Sequence, residues 1–283
     1  MENKSTLQKV YKDAIGGGLP GMVAMSVQVS TLMWLRTTVN YQYKYGTNMI
    51  TALNTLYKQG GIPRFYRGYT AAILQAPLSR FGDTASNAGM LTLLNSYDST
   101  KTLPISVKTL CASTTAASFR VLLMPIDTIK TIMQVEGKNG ISILKNKIHI
   151  NGYSVMFNGT LASSLATFIG HYPWFTTYNY LNSILVDYNE KYKSLLRSAF
   201  IGFSSSMISD TVSNSIRVIK TTKQTSQNHI TYKNAIQQVI EKDGIKGLFG
   251  RGLVTKIMTN GVQGIMFSVI WKLGQDYYKL RYN

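Results

Sequence analysis

The sequence predicts an all-α membrane protein with six membrane-spanning helices, arranged as three similar helix pairs with short surface helices between the members of each pair. Three observations predict this fold: two long stretches without charged side chains, one signature that occurs three times at a nearly constant spacing, and small residues placed four apart in the long segments. Together they indicate a single structural domain with pseudo-threefold symmetry.

The two uncharged stretches are residues 14–35 and 148–186, which contain no Asp, Glu, Lys or Arg. About 20 apolar residues cross the hydrocarbon core, so each stretch is long enough for one span, and the second also has room for a surface segment. The mean hydropathy of the whole chain is only −0.02. We expect such a low value when spanning helices present polar faces to a wet cavity.

The internal repeat is the strongest signal. An aromatic-rich segment ends in glycine three times, at Gly68, Gly159 and Gly252, which are 91 and 93 residues apart. A second signature precedes each of these turns at matching offsets. We therefore divide the chain into repeats over residues 1–100, 101–192 and 193–283. The second signature contains Pro125, Asp127, Lys130 and Gln134 in one repeat, Ser215, Arg217, Lys220 and Gln224 in the next, and Thr31, Met33, Arg36 and Asn40 in the first.

Small residues four apart allow close helix packing in lipid. They occur in the first long segment of each repeat, and with the repeats they favour six spans. The pairs are Gly17 and Gly21, Ala112 and Ala116, and Gly202 and Ser206.

Composition limits the partners. The formal charge of +18 favours an anionic partner, whether lipid head groups, nucleic acid or a charged solute. The single cysteine, Cys111, cannot form an internal disulfide. The N-terminal segment has no cleavable signal pattern, so we expect any targeting information inside the mature chain.

These signatures resemble those of the mitochondrial carrier family, whose repeat begins with Pro-x-[Asp/Glu]-x-x-[Lys/Arg] and carries an aromatic-x-Gly turn before its second helix. The resemblance covers essentially the whole chain, although the first and third repeats depart at the proline and acid positions. Their divergence is also similar to that of a nucleotide carrier encoded by a giant DNA virus. The resemblance implies a monomeric multi-pass transporter of the inner mitochondrial membrane (of the host, if virus-encoded), with the short helices on the matrix side. It also implies contact with the lipid bilayer, including anionic lipid such as cardiolipin.

The resemblance further implies a matrix gate, at which a proline kinks the first helix of each repeat and the acid of one repeat pairs with the base of the next. Only Asp127 with Lys220 keeps opposite charges, whereas Met33 faces Lys130 without a charge and Arg217 faces Arg36 as a like charge. Because buried like charges are unfavourable, we expect a gate that closes weakly when empty or that holds an anion. The implied gate residues are Met33, Arg36, Asp127, Lys130, Arg217 and Lys220, with Pro125 at the kink.

The family's second gate, on the cytosolic side, lacks its ion pairs. Hydrogen bonds from the amide side chains would form a weaker lock, so strict alternating access is in doubt. Its acid and base positions hold Ala88 and Leu91, Asn179 and Asn182, and Lys272 and Gln275, beside the aromatic residues Tyr178 and Trp271.

The family's substrate site lies on the second helix of each repeat, seven or eight residues beyond the turn glycine. Here those positions are uncharged, and basic residues stand near them instead. Arg120, seven residues before Asp127, shares its helix face, and an arginine within an apolar helix is a functional candidate. His171 is equally explained as a helix-contact residue. The expected substrate-binding residues are Gln75, Arg80, Arg120, Ala166, Thr167, His171, Lys256, Thr259 and Asn260.

Several basic side chains on the inner surface suit a polyanion, because arginine grips phosphate oxygens in a bidentate way and lysine acts as a point charge. We expect nucleotides or deoxynucleotides, such as dATP or ADP/ATP, to be exchanged by alternating access. Phosphate, sulfate or carboxylates remain open as substrates. A carrier-fold receptor or adaptor that does not transport, and a soluble basic nucleic-acid-binding protein, remain the rival hypotheses.

An enzyme is not expected. The three histidines are scattered, and the glycines at 16–18 lack the Lys-Ser/Thr that a phosphate loop requires. We therefore predict no catalytic residue, no metal site, no cofactor and no nucleic-acid partner.

Overall fold

The computed structural model describes residues 2–188 and 190–266, and this part of the chain contains α-helices, two short 3-10 segments and turns but no strand. The helices occur in three groups, each with a long helix, one or more short helices and a second long helix. The first repeat contains α1 (Glu2–Tyr45), α2 (Met49–Lys58), α3 (Gly61–Phe65) and α4 (Tyr69–Ser96), and the short α5 (Asp98–Lys101) follows it.

The other two repeats have the same order of elements. In the second, a long helix divided in two is followed by a short helix between two 3-10 segments and then by a second long helix. The second repeat contains α6 (Ile105–Leu122), α7 (Met124–Glu136), 3-10 residues Gly137–Asn139, α8 (Gly140–Asn151), 3-10 residues Tyr153–Phe157 and α9 (Thr160–Ile184). The third contains α10 (Lys191–Thr225), α11 (Tyr232–Gly250) and α12, described over residues 253–266.

The first long helix is interrupted differently in each repeat. In the second repeat it breaks at Leu123, two residues before Pro125, because the proline nitrogen cannot donate the helical hydrogen bond. In α1 the backbone leaves helical geometry at Leu32, where no proline is present. In contrast, α10 continues through Ser215, which occupies the proline position. The kink therefore does not depend on proline alone.

Among the described residues, no helix taken alone is both long and apolar enough to qualify as a membrane span. One pair of helices, Val107–Leu122 and Met124–Asn151, meets the length and composition criteria when the two are taken together. The chain bends by 66° at the break between them.

The long helices form a ring. Helix α1 packs against α4, α4 against α6 and α7, α6 against α9, α9 against α10, and α10 against α1. Apolar clusters lie at these joints, with Val29 and Met33 of α1 against Ala72 and Ala76 of α4. Helix α12 joins the ring at α1 through a contact of 3.6 Å between the Thr31 hydroxyl and the Met266 sulfur.

Each of the three turn glycines contacts the next repeat around the ring, and the third contacts the first repeat. Gly68, Gly159 and Gly252 have φ values of 80°, 90° and 66°, which favour glycine. A Cβ on Gly68 would lie 3.1 Å from the Lys130 carbonyl oxygen, and one on Gly252 would lie 3.3 Å from that of Val39. Each turn thus lies against the first long helix of the next repeat, with α10 next to Gly159. We call this end of the bundle the turn end.

Basic side chains cap the helices at the turn end. The last carbonyl groups of a helix lack intrahelical partners, and cations there also interact favourably with the helix dipole. Each repeat supplies one buried cation to the first long helix of the next repeat, at distances of 2.7–3.2 Å. The cations and the carbonyls that they bind are Arg64 with Gln134 and Val135, Lys147 with Gln224, and Arg251 with Tyr43 and Lys44.

Lys147 differs from the other two caps, because it comes from α8 and not from the segment just before the turn glycine. It is 3 % exposed. Burial and then the nearby charge of Lys44 lower the pKa of Lys147 to about 8. A neutral amine still donates, so the bond to the Gln224 carbonyl survives deprotonation.

Arg64→Ala is expected to destabilise the protein by about 1.5–3 kcal/mol, because it leaves two buried carbonyl groups without their charged donor. Arg67→Ala is the matched control: Arg67 lies three residues further on and is only half-buried, and the change should have an effect of about 0.5 kcal/mol or less. Thermal unfolding in detergent measures both. Equal shifts for the two variants would show that the cap does not stabilise the ring.

Candidate functional site

A cavity of about 340 Å³ lies between the long helices, within the usual range for small-molecule sites. Side chains from all three repeats line it. Seven of the described lining residues are basic and two are acidic. The basic residues are Arg36, Arg80, Arg120, Lys130, Arg217, Lys220 and Lys256, and the acids are Asp83 and Asp127.

Asp127 holds two lysines at the turn end of this cavity. Its carboxylate oxygens lie 2.6 Å from the Nζ atoms of Lys130 and Lys220, so the expected pair with Lys220 is present and Lys130 of the same helix shares it. Lys130 also donates to Gln75 Oε1 at 2.9 Å. Gln224 Nε2 lies 3.4 Å from Asp127. These contacts join α4, α7 and α10 at one point.

Arg217 and Arg36 both line the cavity, but Arg217 has its own acidic partner. Arg217 Nη2 lies 3.4 Å from Asp210, seven residues earlier on α10, and its Nε donates to Ser213 at 3.2 Å. An acid two helical turns away lies on the same helix face, and the attraction between opposite charges turns the guanidinium towards it. The third repeat therefore supplies its own counter-charge.

Arg36 has no acidic partner among the described residues. Its Nη2 points at the sulfur of Met25, at 3.2 Å, and its Nε is buried without a hydrogen-bond partner. The Met33 sulfur accepts a hydrogen bond of 3.4 Å from Gln134 Nε2, and not from Lys130. Gln134 lies one turn beyond Lys130 on α7. Among the described residues, no ion pair therefore joins α1 to α10.

Asp83 is the one charged residue of the described lining that sequence reasoning missed. Its Oδ2 lies 2.6 Å from Arg120 Nη2, which joins α4 to α6. Arg120 does face the cavity, as its register with Asp127 predicts, but it is already paired. The missed signal was a stripe on α4, because Gln75, Ser79 and Asp83 are spaced four apart and all line the cavity.

Helix α12 contributes Lys256 and Thr259 to the lining. Lys256 Nζ donates to Asn260 Oδ1 at 3.3 Å, and no described acid lies within ion-pair distance of it. Asn260 is not part of the lining, and its amide group donates to Asp210, which also lies outside the lining. The Thr259 hydroxyl bonds within its own helix, to the Thr255 carbonyl at 2.6 Å.

Three expected binding residues on α9 lie outside the lining. Ala166 and Thr167 are buried, and the Thr167 hydroxyl bonds to the Ser163 carbonyl of its own helix at 3.0 Å. His171 Nδ1 lies 2.9 Å from the Ser113 hydroxyl, which agrees with its interpretation as a helix contact between α9 and α6. Short or already bonded side chains do not reach the cavity from α9.

On the opposite side from the turns, the described positions of the second gate form no ion pair with one another. Asn182 instead accepts a bond of 2.8 Å from Arg197 of α10. Trp271, Lys272 and Gln275 lie outside the described residues, as does the side chain of Asn179.

The arrangement suits the binding of an anion. Arg36, Arg80 and Lys256 have no acidic partner among the described residues, while the other four cations of the lining are paired. In the described part of the chain, no group of His, Cys, Asp and Glu side chains could hold a metal ion.

Three similar helix pairs closed into a ring around one charged cavity define a solute carrier built from internal repeats. The sequence matches the family model of the mitochondrial carrier protein over residues 7–97, 101–189 and 191–279. The chain therefore belongs to the mitochondrial carrier family. No individual curated protein matches its sequence. Members of the family are solute transporters, typically multi-pass proteins of the inner mitochondrial membrane.

Proposed function

We propose that the protein exchanges anionic solutes, above all nucleotides or deoxynucleotides such as dATP or ADP/ATP, across the mitochondrial inner membrane. It spans the membrane with six helices and works by alternating access, without enzymatic chemistry. The observation that carries the proposal is the cavity lining, with seven cations against two acids. Such an excess of charge in a site of low dielectric is stabilised by a polyanion.

Three cations are available to the substrate without breaking an ion pair. Arg36 offers a guanidinium whose Nε has no described partner, and Lys256 offers an ammonium held only by an amide oxygen. Arg80 also lines the cavity and is exposed. Arginine and lysine together bind phosphate groups by fork geometry and by point charge. A bound phosphate would also supply the missing negative charge between α1 and α10.

The test is uptake by purified protein in liposomes. Labelled dATP or ATP outside should exchange with unlabelled nucleotide inside, because a bound anion favours the transition between the two open forms. Uptake should require internal anion. A competition series with phosphate, sulfate and dicarboxylates then identifies the preferred class of solute.

Each outcome decides between the hypotheses. Nucleotide-dependent exchange supports the proposal. If phosphate or sulfate inhibits uptake and unlabelled nucleotides do not, the preferred substrate is a smaller anion. Anion binding without uptake favours a receptor or adaptor of carrier fold. Release of the protein from membranes by salt or alkali, without detergent, contradicts a spanning protein.

A further inference from the structure

One carboxylate in the cavity is unexpected in a site that binds anions, because it repels them. Asp83 lines the same space as the basic residues, and its side chain is 18 % exposed. Unlike Asp127, which holds two lysines, Asp83 contacts one cation, Arg120. A negative charge beside a polyanion site weakens binding by repulsion unless the carboxylate also makes a favourable contact with the substrate.

The Asp83–Arg120 pair is incomplete. Arginine and carboxylate commonly form two parallel hydrogen bonds, but here only Nη2 and Oδ2 meet, at 2.6 Å. Asp83 Oδ1 and Arg120 Nε are buried, and neither has a hydrogen-bond partner among the described residues. The terminal torsion of an aspartate is broad, so the carboxylate can rotate to present an oxygen to a donor in the cavity.

The position of Asp83 sets the distance between this oxygen and the lysine pair. Gln75 of α4 bonds to Lys130 at 2.9 Å and so marks the level of the lysines. Asp83 follows eight residues later on the same helix face, which is about 12 Å along the axis at 1.5 Å per residue. Orthophosphate and sulfate are too small to reach both places. A nucleoside phosphate has its base and its phosphates at opposite ends of the molecule.

Building on the proposed function, we propose that Asp83 is a specificity-determining residue that accepts a hydrogen bond from an N–H or O–H group at the end of the substrate remote from its phosphates. The substrate is therefore a phosphate ester that carries such a donor, as a nucleotide does, and not a simple inorganic anion. A site built to accept a donor discriminates strongly against analogues without one, because its polar group is then left unpaired.

Displacement of labelled dATP from detergent-solubilised protein tests this without requiring transport. The competitors are unlabelled dATP, which carries donors on its base and sugar, and inorganic triphosphate, which carries only the anionic part. Wild-type protein should prefer dATP. In Asp83→Ala we expect the preference to fall by about tenfold, through weaker dATP binding and tighter triphosphate binding. Asp83→Asn, which keeps the shape, should change the preference in the same direction by less.

The matched control is Asp187→Ala, which also removes one acid that contacts an arginine, but one whose side chain is 91 % exposed. Its preference should equal that of wild type. If the preference for dATP over triphosphate is unchanged in both Asp83 variants, the role proposed for Asp83 is wrong, and the proposed transport function is unaffected. Binding with the expected preference but without liposome uptake would contradict transport and leave the role of Asp83 intact. A loss of thermal stability alone would assign the Asp83–Arg120 pair to helix packing only.

Discussion

Asp127→Ala is expected to destabilise the empty protein by about 3–5 kcal/mol, since breaking a buried ion pair leaves its partners uncompensated. Here two partners are left. The Lys130 and Lys220 side chains are only 17 % and 18 % exposed, and each lies 2.6 Å from the same carboxylate. Without it, two ammonium groups repel each other at a point where three helices meet. Thermal unfolding in detergent measures the loss.

Anions should reverse part of this loss. Phosphate or nucleotide can take the place of the missing carboxylate, and a ligand that binds only the folded state stabilises it by mass action. The control is Glu190→Ala, which breaks the exposed pair with Lys193 and should change stability by about 0–1 kcal/mol. If the Asp127 and Glu190 variants unfold at the same temperature, the carboxylate does not hold the turn end of the cavity together.

The second large effect concerns transport. Replacing Arg36 and Lys256 together by glutamine should lower nucleotide uptake at least about 100-fold, because each charge-assisted hydrogen bond contributes about 1.5–3 kcal/mol. Neither residue forms an ion pair with a described acid. Their removal therefore breaks no ion pair within the part of the chain that the structure describes, and the protein should fold normally.

Two comparisons make this result specific. Lys233→Gln removes a charge from the exposed start of α11 and should leave uptake unchanged. The single variants Arg36→Gln and Lys256→Gln should each show a partial loss. Normal uptake by the double variant, with normal stability, would place the phosphate site elsewhere in the cavity. A matching fall in thermal stability would instead indicate a packing role.

The sequence was sufficient to predict the features that repeat three times along the chain. Turn glycines at a nearly constant spacing identified the three joints, and the one acid–base pair that kept its charges, Asp127 with Lys220, lies within 2.6 Å. Six basic residues of the predicted gate and binding site all line the cavity. They are Arg36, Arg80, Arg120, Lys130, Lys220 and Lys256.

The sequence could not predict which of several neighbouring groups a long side chain contacts. Arg217 could turn towards another repeat or back along its own helix, and only the position of Asp210 beside it decides this. Helix rotation is a second limit. Gln75 of α4 and Thr259 of α12 face the cavity as counted from the turn glycine, but Asn260 does not, and on α9 the equivalent Ala166 and Thr167 are buried outside the lining. Gly202, expected at a close helix contact, has no neighbour that a Cβ would meet within 4 Å.

The directed contacts at the turn end have a mechanical consequence. Gly68, Gly159 and Gly252 each lie against the repeat that follows, and the last of them closes on the first repeat. We therefore expect a displacement of one long helix at this end to move the other two, because each joint couples one repeat to the next. The turn end should then open and close by a concerted movement of all three repeats, and not by the movement of one repeat alone.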